Sequence, residues 1–323
     1  MTSFDNSTAW LSGYIPDLPT PFNEAGEVDL AAFARLCERQ IHAGVSAIVA
    51  GETTGEAPTL DWAEHDAVIR TAVDTARGRV RVIAGAGSNS TSEAIEKTRH
   101  AESAGADAVL SVVPYYNKPM QAGIAAHFRA IADSTALPVI LHDVPARTIR
   151  ELSDATVSSL SQSQQFIGLR DATGDLARPL RLRAMLPTGF RLLSGDDMTA
   201  LGFFANGGDG CVSAISNVAP ELCQLIYSNI KQGRLQSARY LQHRLEPLAT
   251  LLTRENPAAV KYALCLLGFM RADTRLPLVD LEASAKAEIA DAIAAIGEEG
   301  LDRQASEENN LWEENHLEKS ALI

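Results

Sequence analysis

Short apolar runs rich in β-branched residues alternate along the chain with longer stretches of helical period. The runs that read as strands are Tyr14 to Leu18, Ser46 to Gly51, Val80 to Gly85, Ala108 to Val113, Pro138 to Asp143, Phe166 to Asp171, Leu192 to Gly195 and Gly210 to Ile215. Between them the period changes. Leu30, Phe33, Cys37 and Ile41 recur three to four apart and share one helix face. Ser90 followed by Glu93 is the signature of a capping box, in which the Ser side chain accepts from a free helical N–H and the Glu reaches back. Later helices read as Gln121 to Ser134, Ser153 to Leu160, Leu176 to Met185 and Ala219 to Lys231. Eight continuous apolar strands, each followed by a helix, predict the α/β class and a closed (β/α)8 TIM barrel. An open doubly wound sheet would carry a Gly-rich phosphate loop after its first strand. Here that position reads DLPTPFNEAGE.

Beyond Gly233 the alternation stops, and Arg234 to Leu252, Pro257 to Leu267 and Leu281 to Ile296 read as helix only. The pattern therefore divides the chain into an N-terminal extension (1–12), the barrel (13–233), an appended C-terminal helical segment (234–296) and an acidic, mobile tail (297–323). The tail holds eight acids against Arg303 and Lys319.

Composition narrows the function more than the fold. The 323 residues are 46% hydrophobic and 21% charged, which excludes a disordered or disulfide-scaffold chain. The net charge of −13 offers no electrostatic footprint for nucleic acid or an anionic membrane. No apolar run approaches the length of a membrane span, and MTSFDNSTAW does not read as a secretory signal. Cys37, Cys211, Cys223 and Cys265 lack zinc-ligand spacing. A cytoplasmic protein acting on a small molecule, with no metal and no cofactor, is the expectation.

In such barrels chemistry sits at the C-terminal ends of the strands. The residues there are Thr20, Thr53 with Thr54 and Glu56, Tyr115 with Tyr116, His142 with Asp143 and Arg147, Arg170 with Asp171, Gly195 to Asp197 and Ser213 to Asn217. Hydroxyls, backbone N–H groups and two arginines suit a small carboxylate. Each also has a plainer reading: Thr53 and Thr54 capping the second helix, Tyr115 and Tyr116 as a packed pair, His142 as a structural histidine, Arg170 with Asp171 as an ion pair at the rim.

Eight ordered motifs change the picture: PTPF (19–22), TTGEAPTL (53–60), VIAGAGSNST (82–91), VPYYNKPMQAG (113–123), DVPART (143–148), IGLRDATGDL (167–176), LLSGDD (192–197) and NPAAVKYAL (256–264). In these the chain resembles the dihydrodipicolinate synthase and N-acetylneuraminate lyase family, over roughly Ser12 to Ile296. The resemblance implies a lyase or aldolase taking a small keto acid such as pyruvate, condensing it with L-aspartate 4-semialdehyde in lysine biosynthesis. It also implies a homodimer or homotetramer. Thr53 and Tyr116 match two members of the family's proton relay, with Tyr116 reaching across a dimer interface. Thr54, Val212 and Arg147 match substrate-binding positions. Asn89, Glu93 and Tyr115 match the lysine feedback site, where Ala57 and Trp62 replace a family serine and histidine.

Two departures fall on the chemistry. The relay motif L-Y-N-V-P reads L-H-D-V-P, so His142 stands in the tyrosine's place. The Schiff-base motif I-G-I/V-K-E/D reads I-G-L-R-D, so Arg170 stands in the lysine's place. Arginine does not deprotonate in proteins and is a poor nucleophile. Charge logic then predicts a keto acid held by an ion pair to Arg170. Another keto-acid aldolase or dehydratase, and a non-catalytic keto-acid-binding paralogue, remain as alternatives.

Overall fold

The structure is a computed structural model and describes residues 8–300. Its parallel strands are β1 (Gly13–Pro16), β2 (Ala47–Ala50), β3 (Arg81–Gly85), β4 (Ala108–Val112), β5 (Val139–Asp143), β6 (Phe166–Asp171), β7 (Arg191–Ser194) and β8 (Gly210–Ser213). Each pairs with its neighbour in sequence, and β1 pairs with β8. The ring closes between β1 and β2 through a bridge from Asp17 to Val49, where Leu18 N donates to Val49 O at 2.9 Å. The eight-stranded barrel is as expected, with strand ends within two residues of the periodicity.

The helices are α1 (Leu30–His42), α2 (Trp62–Ala76), α3 (Thr91–Ala104), α4 (Gln121–Ala132), α5 (Pro145–Thr148), α6 (Asp154–Leu160), α7 (Arg178–Arg183), α8 (Ala200–Ala205), α9 (Pro220–Lys231), α10 (Leu235–Arg254), α11 (Ala258–Leu266) and α12 (Ala283–Gly300). Residues 297–300, assigned to the tail by composition, thus belong to α12; 301–323 lie outside the described residues, as do 1–7 of the extension. The remainder of the extension is part of the barrel. Leu11 is fully buried among Ile15, Val49, Leu110, Ile140 and Leu193, where it plugs the floor. The C-terminal helices share one apolar cluster with the wall, placing Leu248, Leu252, Val260 and Leu264 with Tyr14, Phe33 and Ile48.

Two local expectations are corrected. At the start of α3, Ser90 accepts from Glu93 N, but Glu93 does not reach back; its carboxylate accepts from Ser88 Oγ at 2.9 Å and pairs with Lys97. A nearby cation and hydroxyl outcompete the one backbone N–H. The reciprocal box forms instead at α2, between Asp61 and Glu64, so Thr53 and Thr54 do not cap that helix.

Strand alternation sets the site. Successive side chains point to opposite faces, so residues two apart share one. On β5, Ile140 lies in the interior cluster and Leu141 in the outer one. His142 therefore faces inward and Asp143 outward. On β6, Leu169 is in the outer cluster; Arg170 faces inward and Asp171 outward. His142 and Arg170 are direct register partners.

Candidate active site

Above the apolar interior, four charged or titratable side chains meet at the C-terminal mouth. Arg170 Nη1 donates to Asp17 Oδ2 at 3.2 Å and to Glu52 Oε2 at 2.9 Å. Glu52 Oε1 lies 2.9 Å from His142 Nδ1. The same carboxylate accepts from Thr53 N, and Asp17 Oδ2 accepts from Thr54 N at 3.4 Å. All four side chains are buried. Glu52 reaches this point because Gly51, with φ +65°, turns the chain just before it. A Cβ on Gly51 would meet His65 Nε2 at 2.9 Å, and one on Gly85 would meet the Gly51 carbonyl oxygen at 2.1 Å.

Burial raises the Asp17 carboxyl to about 7; Arg170 opposes the rise and Glu52 adds to it. Burial would raise Glu52 too, but His142 and Arg170 outweigh it and hold that carboxyl well below its usual range. Burial, then Arg170, lowers His142, against the pull of Glu52. Arg170 stays cationic because Glu52 and Asp17 more than offset its desolvation. The cluster near neutral pH is therefore an Arg170–Glu52 ion pair, a neutral imidazole and an Asp17 carboxyl that holds its proton far more readily than an exposed one.

A cavity of about 460 Å³ opens onto this cluster, lined among others by Thr53, His142, Arg147, Arg170, Val212 and Asn256. Arg147 lies on α5, exposed at the mouth, and its guanidinium makes no hydrogen bond among the described residues. Thr54 is fully buried, and its Oγ1 accepts from Asn256 Nδ2 at 3.3 Å. Tyr116 is 86% exposed with φ +71°. A second cavity, of about 240 Å³, shares Thr53, Val144 and Arg147 with the first and adds Lys97 and Tyr115. Glu93 joins Lys97 and Tyr115 in a smaller recess beside Trp62; Asn89 lies nearby, where its carbonyl accepts from Asn117 Nδ2.

Thr53, His142, Arg147, Arg170 and Val212 are thus brought to one cavity, whereas Thr54 and the exposed Tyr116 are not among its lining residues. One expectation is overturned. Arg170 does not pair with Asp171: strand alternation sends Asp171 outward, 3.4 Å from Arg178 Nη1. Arg170 Nη1 is taken by two carboxylates of the chain itself, which leaves Nη2 without a partner among the described residues. Asp17, Glu52 and Asn256 escaped the sequence reading, although an acid at the end of each of two apolar strands, in YIPDLP and AIVAGE, was a visible signal.

The Dihydrodipicolinate synthetase family model matches residues 10–296. The chain belongs to that family. It is 49% identical over 288 residues to the 4-hydroxy-tetrahydrodipicolinate synthase of Hyphomonas neptunium, covering 88% of this chain and 98% of that protein. Among solved structures it is similar to the chloride-inhibited dihydrodipicolinate synthase of Acinetobacter baumannii complexed with pyruvate, with TM-score 0.86 and 39% identity over 88% of this chain and 99% of that one. The enzyme of Cyanidioschyzon merolae with lysine bound matches with TM-score 0.87 and 38% identity, over 89% and 99%. Among the described residues no helix is long and apolar enough to cross a membrane.

Proposed function

We propose that this chain takes a small 2-keto acid such as pyruvate into the strand-end cavity and works on it without a Schiff base. The observation that carries the reading is the buried Arg170, held by Asp17 and Glu52 where the lysine would stand. A guanidinium with a pKa above about 12 presents no free amine. Recognition of the acid falls to Arg147, the reachable cation, with Thr53 as hydroxyl donor, Val212 as apolar wall and Thr54 buried behind them, bonded to Asn256. No cofactor is needed for this. The buried Lys261 does not replace the missing amine. Lys261 is held at 2.5 Å by Glu56 with both side chains fully buried, and burial lowers it to about 8.

Calorimetry with pyruvate, paired with borohydride treatment and intact mass, tests this. Binding without a mass increase is the expected result; absence of binding by the folded protein removes the reading.

A second reading is the relatives' own activity, 4-hydroxy-tetrahydrodipicolinate synthase, joining pyruvate to L-aspartate 4-semialdehyde. Identity of 49% over nearly the whole relative favours it. Turnover of both substrates together with a borohydride-stable adduct would install it in place of the first.

On either reading the protein acts as a cytoplasmic homodimer or homotetramer. The exposed Tyr116, in a backbone conformation rare for a bulky residue, supports a role toward a neighbouring chain. The feedback positions Asn89, Glu93 and Tyr115 surround a carboxylate that Lys97 already claims. Lys97 Nζ lies 3.2 Å from Glu93 and 6.0 Å from the Trp62 ring centroid, where the amine of a free lysine would compete with it.

A further inference from the structure

We propose that Glu52 and His142 form a carboxylate–imidazole base that removes a proton from C3 of the bound 2-keto acid, with Arg170 receiving the charge that develops on the C2 oxygen. This rests on the keto-acid reading above and supplies its chemistry.

The geometry fixes the tautomer. Glu52 is ionised and acceptor-only, so His142 Nδ1, 2.9 Å from its Oε1, carries the proton and donates. The other ring nitrogen, Nε2, is then a lone-pair acceptor. Nε2 has no hydrogen-bond partner among the described residues, and it is not among the buried, unpartnered atoms. Since His142 lines the cavity, this nitrogen is the one that meets a ligand. A carboxylate that holds an imidazole in one tautomer and steadies the imidazolium is how histidine bases are oriented.

Arg170 stands beside it by register, its Cα opposite that of His142 on the neighbouring strand. Adjacent strands lie about 4.8 Å apart, so the two inward side chains serve one bound molecule. Arg170 uses Nη1 for both carboxylates, and Nη2 donates to no group among the described residues. A preorganised cation in a dry site favours charge that appears during reaction.

The step balances without a co-reactant. The C3–H bond breaks as an N–H bond forms at Nε2. The electron pair becomes the C2–C3 double bond, and the carbonyl pair moves onto oxygen, where Arg170 Nη2 donates to it. Run backwards after the imidazolium has exchanged with water, the step returns a solvent proton to C3. The observable reaction is isotope exchange.

The groups facing His142 are Glu52 on the loop after β2, Arg170 on β6, Arg147 on α5 and, through Arg170, Asp17 after β1. Burial and Arg170 keep the imidazole neutral, hence basic, at pH 7. Exchange should rise with pH through an inflection below the ordinary histidine value. A second inflection near 7 belongs to Asp17.

The experiment follows the methyl signal of pyruvate in deuterium oxide by proton NMR, with pyruvate binding measured in parallel on each variant. Wild type should exchange the methyl protons at least about tenfold faster than buffer. His142→Asn keeps a donor toward Glu52 but has no Nε2, and should bring exchange down to the buffer rate in protein that still folds and binds pyruvate. Glu52→Gln should slow exchange and move the lower inflection to more acid pH, because the group that supports the imidazolium is gone. Loss of structure alone would not move an inflection in the folded fraction. Binding of pyruvate with no exchange above buffer would overturn this inference and leave the keto-acid reading standing. Exchange undiminished in His142→Asn would also overturn it. Absence of both binding and exchange would remove the two together.

Discussion

Strands β5 and β6 each carry chemistry on one face and structure on the other, and the two faces hold two buried arginines that behave differently. On the outer face Arg178 pairs with Asp143 at 2.8 Å, Asp154 at 3.0 Å and Asp171 at 3.4 Å, and also donates to Leu152 O. On the inner face Arg170 has two carboxylates on a single amino group, and its Nε is buried without a partner. Nearly equal burial, 4% against 6% exposed, thus accompanies unequal satisfaction. The difference lies in the guanidinium groups, since Asp143 Oδ1 and Asp171 Oδ2 on the outer face are also buried without a partner: all three Arg178 nitrogens are bonded and hold that face rigid, whereas Arg170 keeps bonding capacity beside a cavity, where a ligand can complete it.

The largest effect expected from that contrast is on stability. Arg178→Met should destabilise the protein by about 3–5 kcal/mol, since it leaves buried carboxylates without their cation. Arg170→Met should lose less than half as much, because Glu52 keeps His142 and Thr53 N, and Asp17 is ready to protonate. Urea midpoints of the two variants measure this, and equal losses would break the comparison.

Chemistry at position 170 comes next. Arg170→Lys alone should give no borohydride-stable pyruvate adduct at pH 7, because Asp17 and Glu52 hold the new ammonium charged. Arg170→Lys combined with Asp17→Asn and Glu52→Gln should give one, read by intact mass. Asp143 plays no part in this outcome, since it faces Arg178 from the other side of the strand.

The pH dependence of stability sharpens the contrast further. Asp17 is raised from 3.8 to about 7 in the fold, and Asp143 to about 6. An acid raised on folding contributes stability below its unfolded pKa and loses it as pH rises through the folded one. The two acids therefore contribute a term that falls from pH 4 to 7, from both faces up to about 6 and from the inner face alone beyond, against a term that rises with pH from the buried His142 and His127, whose imidazoles burial lowers. Each such group gives a slope of up to roughly 1.4 kcal/mol per pH unit. Asp17→Asn should flatten the curve between 6 and 7, and Asp143→Asn should leave that interval unchanged; denaturant titrations across pH distinguish them.

The smallest effect concerns Lys97. Its pair with the partly exposed Glu93 is worth about 0.2–1 kcal/mol. Lys97→Ala should cost little stability, yet let free L-lysine raise the melting temperature more than it does in wild type. Equal shifts would show that Lys97 does not occupy the recess.

The barrel was legible because alternation of apolar strands with amphipathic helices is a long, repeated signal, and because strand ends are where barrel sites lie. Position 170 and its neighbour His142 stood out as departures from motifs. The partners did not. Asp17 and Glu52 come from strands far from residue 170 in sequence, and closure of the barrel, not any local pattern, brings them to its guanidinium. The floor plug by Leu11 was hidden for the same reason. The Arg170–Asp171 pair misled because adjacency in sequence places two strand residues on opposite faces.

The turn at Gly51 has a consequence for how this site passes from one generation of sequences to the next. The reach of Glu52 depends on a carbonyl lying so near Gly85 that a single methyl there would collide with it. Two side-chain-free positions thus act as spacers for the charge cluster. A drift from glycine to alanine at either, silent in any tally of charged or polar residues, would swing the carboxylate off both its imidazole and its guanidinium. The inheritance of the chemistry is tied to two residues that contribute no chemical group of their own.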